Sequence, residues 1–209
     1  YIQISRYGNS MKADFAHRMK KDFFNESQRN IIFLFNNDLL EFKLFTNSDS
    51  SVYFPYFSLN KVFSVVSAGD TVYLRGGIYE LTTATYIYQK SGTIGNRINI
   101  WAYPNELPII TRATHYQKSE VDTTAEYYGL FFRGCNYIHF RGLEITGFSQ
   151  GTADPAAGLG FYDGSHNIFE NLNIHHNGGG LVVSAWFGAE CTDNLILNCD
   201  LHHNQDPLS

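Results

Sequence analysis

Phe169-Glu170-Asn171-Leu172-Asn173-Ile174-His175-His176-Asn177 and Ile196-Leu197-Asn198-Cys199-Asp200-Leu201-His202-His203-Asn204 are two copies of one pattern. A further copy, Phe140-Arg141-Gly142-Leu143-Glu144-Ile145, precedes them, and the step from Phe140 to Phe169 nearly equals that from Phe169 to Ile196. Each copy puts an apolar residue first, fourth and sixth. A shorter motif precedes each: Gly129-Leu130-Phe131-Phe132, Gly158-Leu159-Gly160-Phe161 and Gly180-Leu181-Val182-Val183. Its lead over the longer motif is the same in the first two copies and greater in the last. Alternation such as Leu172-Asn173-Ile174 sends one set of side chains inward and the next outward. A strand this short cannot bury its apolar side alone, but a stack of like strands hides it in a continuous core.

The period predicts an all-β solenoid, a parallel β-helix. Helical repeats of this length need two long amphipathic stretches, and the Gly, Asn and β-branched content between 129 and 204 leaves no room for them. The dense leucine pattern of leucine-rich repeats is missing. Asn177 and Asn204 follow equivalent strands. Asn tolerates left-handed backbone and hydrogen-bonds to neighbouring main chain, so a ladder of stacked amides is expected here in preference to a ligand contact. Adjacent strand residues point to opposite faces, so each pair, His175/His176 and His202/His203, is expected to split. One histidine of each pair then stacks on the next coil. Zinc is disfavoured, because no Cys or carboxylate stands at the usual ligand spacing.

The 209 residues suffice for one domain with a real core. Charged residues make up 17% and aromatic residues 16%, which is not a disordered composition. A net charge of −5 draws in neither nucleic acid nor any other polyanion without a local basic patch or a bridging cation. No run is long enough to span a membrane. Of three cysteines, Cys199 takes an inward slot matching Leu143 and Leu172. Cys135 and Cys191 lie in turn-like contexts, and no disulfide framework follows.

Residues 1–50 differ from the rest. Phe15, Met19, Phe23 and Phe24 have helical spacing, which suggests a cap on the open end of the solenoid, helical or irregular, or else an arm. Asn30 to Phe45 is apolar enough for a strand. Thr46 to Ser51 is a polar break, taken as the boundary of a β-helix over 51–209. Phe57 to Val66 reads as a short helix. Thr71–Leu74, Ile98–Ala102 and Pro108–Ile110 read as strands. Thr111 to Glu126 reads as a long polar loop of the kind that carries function.

Ala68-Gly69-Asp70-Thr71-Val72-Tyr73-Leu74-Arg75-Gly76-Gly77-Ile78-Tyr79 resembles the opening of right-handed β-helix polysaccharide lyases. Ser91-Gly92-Thr93 with Arg97-Ile98-Asn99-Ile100 resembles their next segment, with Arg97 where proline is usual. Asn177-Gly178-Gly179-Gly180-Leu181 and Asn194-Leu195-Ile196-Leu197-Asn198-Cys199-Asp200, with Asn204-Gln205-Asp206, are most similar to the family 9 pectate lyases. The resemblance covers about 52–209. It implies a right-handed coil, secretion or a place in the cell envelope, and a monomer. The implied reaction is calcium-assisted β-elimination on an acidic polysaccharide such as pectate. The aspartate clusters and catalytic lysine of those enzymes lie beyond the stretch matching Ser209, so no catalytic residue carries over. The chain therefore reads as the N-terminal part of a longer lyase; the alternative is a non-catalytic carbohydrate-binding or structural β-helix.

Four residues remain as site candidates. Asp200 and Asp206 suit the border of a calcium site, against plainer roles as a solvated strand residue and a turn aspartate. Arg141 suits sugar recognition, against a surface ion pair. Trp186, with Phe187 in the extension that lengthens the last spacing, suits stacking on a sugar ring, against burial. A third reading, a glycoside hydrolase on the same fold, needs a convergent carboxylate pair, for which Asp154 and Asp163 are the only candidates near a loop.

Overall fold

The structure, a computed structural model, describes residues 2–4, 31–34, 42–46, 49–53, 59–117, 128–149, 156–186 and 188–205. From Thr71 onward the strands fall into three parallel sheets, visited in strict rotation. Sheet 1 holds Thr71–Leu74, Ile98–Ala102, Ile138–Arg141, Ile168–Glu170 and Leu195–Leu197. Sheet 2 holds Gly77–Thr83, Pro108–Gln117, Glu144–Thr146, Asn173–His175 and Asp200–His202. Sheet 3 holds Thr85–Tyr88, Leu130–Arg133, Ala157–Tyr162 and Gly179–Ser184. The expected parallel β-helix is what forms, and the strand register matches the sequence repeat: Phe140 pairs with Phe169 and Phe169 with Ile196. Leu130, Leu159 and Leu181 share a column in sheet 3.

The inward columns fill the coil. Phe132, Phe140, Phe161 and Phe169 are fully buried. Phe140 and Phe169 stack at 6.0 Å, and Phe132 and Phe161 at 5.0 Å. Burial of each such ring stabilises the fold by about 2–3 kcal/mol. Cys135 and Cys199 join this core, the second in the inward slot expected of it. The helix Leu59–Val65, also expected, lays Phe63 against Phe132 at 5.2 Å.

The turns explain the polar part of the repeat. Between sheets 1 and 2, Gly142, Asn171 and Asn198 all have positive φ; between sheets 2 and 3, Gly147, His176 and His203 do. Left-handed backbone favours Gly, Asn and His, so one residue of this kind recurs per corner. His176 thus lies past the end of its strand, and the histidine pairs do not split across the sheet as expected. His175 and His176 meet outside the coil with Nδ1 atoms 2.7 Å apart, and His202 and His203 at 2.6 Å. The expected stacking between coils does occur, His175 on His202 at 4.9 Å and His176 on His203 at 5.2 Å.

Asn177 and Asn204 form the expected ladder. Asn177 Oδ1 accepts the Phe148 N–H, its Nδ2 donates to Ile145 O, and Asn204 Oδ1 accepts from Asn177. Each rung thus uses its amide to satisfy main chain that the corner would otherwise bury unpaired. The second residue of the strands Ala157–Tyr162 and Gly179–Ser184, a glycine, makes room for this column. A Cβ at Gly158 would stand 2.9 Å from Asn177 Nδ2, and one at Gly180 2.6 Å from Asn204 Nδ2. A second ladder, Asn167 over Asn194, does the same at the corner between sheets 3 and 1.

Two further expectations change. Pro108–Gln117 is one long strand paired with Gly77–Thr83, so half of the expected polar loop is sheet. Main-chain pairing does not depend on side-chain polarity. The expected polar break, Thr46 to Ser51, overlaps the strands Phe42–Thr46 and Asp49–Tyr53, which pair antiparallel. Ile31–Leu34 lies parallel on Thr71–Leu74. The helix expected around Phe15 to Phe24 lies outside the described residues.

Candidate functional site

The outer face of sheet 3 carries a second apolar cluster, separate from the core of the coil: Tyr128, Phe131, Ala157 and Tyr162, with Tyr86, Val182 and Trp186 packed against it. Parallel register generates it. Tyr86 and Phe131 are partners across the sheet, as are Arg133 and Tyr162. A file of rings therefore runs along the axis, Tyr86 to Phe131 at 5.2 Å, Phe131 to Tyr162 at 5.2 Å and Tyr162 to Trp186 at 4.7 Å. The middle rings are buried. Tyr88 at one end is 54% exposed, and Trp186 at the other is half-buried. Gly160, in the same column, has no room for a side chain, since a Cβ would meet the Tyr128 ring at 2.6 Å.

Polar groups fix this face. Asp163, in left-handed backbone, accepts the Trp186 N–H at 2.6 Å and an Arg133 Nε–H at 3.0 Å. The Arg133 guanidinium lies 4.8 Å from the Trp186 ring centroid. One carboxylate thereby locks both the tryptophan turn and the cation above it. Tyr128 and Tyr162 share a hydrogen bond of 2.9 Å between hydroxyls. Burial, then the hydrogen bond and charge of Tyr162, push the Tyr128 pKa well above the usual phenol range. That hydroxyl stays protonated, and either partner of the pair can be the donor.

The site candidates that lie among the described residues do not converge. Trp186 belongs to this face. Arg141 lies on the outer face of sheet 1, its Cζ 3.9 Å from the Trp101 ring centroid. Asp200 lies on the outer face of sheet 2, its side chain 76% exposed, with His202 Nε2 at 4.0 Å. Asp206, Phe187 and Asp154 lie outside the described residues. Asp163 is committed to Arg133 and Trp186. Calcium takes six to eight oxygen ligands. Among the described residues no group of three His, Cys, Asp or Glu side chains is placed to hold a metal ion. The described carboxylates therefore do not by themselves complete a calcium site. Tyr128, Tyr162 and the Arg133–Asp163 pair are not assembled by the sequence reading. The available signal is register: Asp163 follows the cross-strand partner of Arg133, so the two stand one coil plus one position apart.

Arg75, Gly76 and Gly92, within the stretches that carry the sequence resemblance, have structural roles. Glu106 takes both an Arg75 ion pair and the Gly76 N–H at 2.6 Å. Burial alone would raise its pKa, but the Arg75 and Gly76 contacts outweigh this and hold it below the usual value. Gly92 packs so closely that a Cβ would lie 2.6 Å from Tyr137 O.

Comparison with known proteins agrees with this architecture. Residues 45–209 match the family model described as "Pel9A-like, right handed beta helix region". Pectate lyase L of Paenibacillus polymyxa is 29% identical over 160 residues, covering 71% of this chain and 32% of that protein. Pectate lyase PEL9 of Emericella nidulans is 27% identical over 157 residues, covering 73% and 36%. The chain thus spans about a third of the length of these relatives. The crystal structure of pectate lyase Pel9A superposes with a TM-score of 0.55 at 24% identity, covering 86% of this chain and 41% of that one, a likeness of fold. With more than half its length matched, the chain belongs to the Pel9A-like right-handed β-helix family.

Proposed function

We propose that this chain is the N-terminal part of a polysaccharide lyase that cleaves an acidic polymer, pectate, by β-elimination. The family match over residues 45–209 carries the reading. In such a reaction a base removes the proton beside the uronate carboxylate, and the glycosidic oxygen leaves as a carbon–carbon double bond forms. The groups on sheet 3 suit binding: Tyr88, 54% exposed, and the half-buried Trp186 offer aromatic surface to sugar. Calcium enters as an implication of the family resemblance, with ligands to be supplied from outside the described residues. We further propose residues 51–209 as the coil and residues 1–50 as its cap, acting as a monomer outside the cell or in its envelope, where such polymers occur. No helix among the described residues is long and apolar enough to cross a membrane.

The test incubates the full-length protein with polygalacturonate and calcium and follows ultraviolet absorbance of unsaturated product. Absorbance should rise, and chelation should abolish it. No product on polygalacturonate would remove pectate as the substrate, and none on alginate as well would remove the lyase reading. The 209-residue chain alone should show no turnover. A second reading, a non-catalytic carbohydrate-binding β-helix, is supported by the aromatic face of sheet 3, which suits binding and needs no catalytic group. Binding without turnover by the full-length protein would support it.

A further inference from the structure

The outer face of sheet 1 differs in kind from that of sheet 3. Trp101 and Arg141 are register partners on neighbouring coils, and the guanidinium lies close enough over the indole to bring Cζ within 3.9 Å of its centroid. Glu170 is the next residue in that row, facing Arg141 across the sheet. Its carboxylate instead takes a hydrogen bond from His139 Nε2 at 2.8 Å. Among the described residues Arg141 therefore has a stacking partner but no carboxylate within ion-pair distance. Beneath it the Trp101 Nε1–H is buried with no acceptor. At the other end of the same strands, Arg97 lies 5.5 Å from the Tyr137 ring centroid and donates to His166 O. Tyr137 stacks on His166 at 4.7 Å. Two arginine–aromatic stacks thus bracket Asn99 and His139 on one face of a protein whose net charge is −5.

We propose that this face is a second binding surface for the acidic polymer, in which Arg141 holds a sugar carboxylate. It rests on the lyase reading for its ligand class and lies on a different sheet from Trp186. The chemistry is specific. The indole pre-orders the guanidinium, which lowers the entropy lost on binding. His139 ties up the carboxylate of Glu170, the register partner of Arg141. The fork of Arg141 then matches a planar carboxylate in two parallel hydrogen bonds.

The test is titration of the 209-residue chain with oligogalacturonate, with neutral dextran oligomers as the uncharged control. Arg141→Gln should weaken oligogalacturonate binding about tenfold, the size expected for losing a charge-assisted pair. Arg141→Lys should fall between, since an ammonium keeps charge without the fork. Circular dichroism should be unchanged in both, and dextran should not bind. Equal affinity of Arg141→Gln and the unaltered chain would overturn the proposal. So would loss of binding in Trp186→Ala alone, or no binding by the unaltered chain. Lyase turnover is read separately on the full-length protein. Absent turnover with Arg141-dependent binding would sink the enzymatic reading and leave this surface standing.

Discussion

Phe169 and Ile196 occupy one column of the coil, yet Phe169 is fully buried and Ile196 is 50% exposed. Ile174 and Leu201 repeat the contrast in the next sheet, with no exposure against 44%. Hydrophobicity barely differs within either pair. What differs is the neighbour: a rung buries its inward side chain only when a coil lies on each side of it. In a solenoid, stability is therefore close to a sum of rung terms and nearest-neighbour terms. The energetic worth of a residue follows its place along the axis as much as its identity.

The largest expected effect breaks this comparison most directly. Phe169→Ala should destabilise by about 4 kcal/mol, from lost transfer energy and the cavity left behind. In the 209-residue chain taken alone, Ile196→Ala should cost about 1 kcal/mol, since half of its surface there meets water. Equal shifts in denaturant midpoint would show that the last coil is covered in solution. The amide ladder gives the next contrast. Asn177→Ala orphans the buried Phe148 N–H and should cost about 2–3 kcal/mol; the part-buried Asn204 should cost about 1 kcal/mol. Hydrogen exchange at Phe148 would locate the damage, and equal losses in the two variants would contradict the rung account. Thiol labelling follows. Burial pushes the Cys135 pKa up to about 11, and its side chain is inaccessible, so it should react only on unfolding. In the 209-residue chain taken alone, the part-buried Cys199 should label in the native state. Native labelling of Cys135 would mean that the middle coils open.

The coil itself is legible in the sequence because its inward columns are apolar at a fixed period, and register then follows from burial. Phe140, Phe169 and Ile196 need nothing more. The ladder at Asn177 is legible from its repeat. Asn167 over Asn194 carries the same signal at the same spacing, but no repeated histidines flag it. The histidine corner misleads because strand alternation does not extend past His175, where the positive φ of His176 ends the strand. The aromatic file on sheet 3 is hidden for a different reason. Tyr86, Phe131, Tyr162 and Trp186 meet only once the connections between sheets 2 and 3 fix how many residues separate successive strands. Those connections vary in length. A site assembled across coils with unequal spacing leaves no period in the sequence, so Trp186 stands out alone and its partners do not.

The smallest effect concerns acid. His139 in a middle coil has its pKa held below the usual histidine value, by burial first, with Glu170 opposing and Arg141 and Arg97 adding to the depression. His176 at the outer corner is also lowered, by what shielding its neighbours give and then by His175, His203 and His202. Both groups are therefore harder to protonate folded than unfolded. Near and below a pH of about 6.5 the unfolded chain binds more protons, so stability must rise with pH there. The contribution is whole above that value and drains away as pH falls through the folded pKa. Unfolding by denaturant at about pH 7.5 and about pH 5.5 should show lower stability at the acid end. His176→Asn keeps a residue that tolerates left-handed backbone and removes one imidazole from the array, so the acid loss should shrink slightly. His139→Gln keeps an N–H donor toward Glu170 and should shrink it more, because that imidazole is half enclosed while the corner ring stands in water. An acid loss unchanged in both variants would place the pH dependence in other groups.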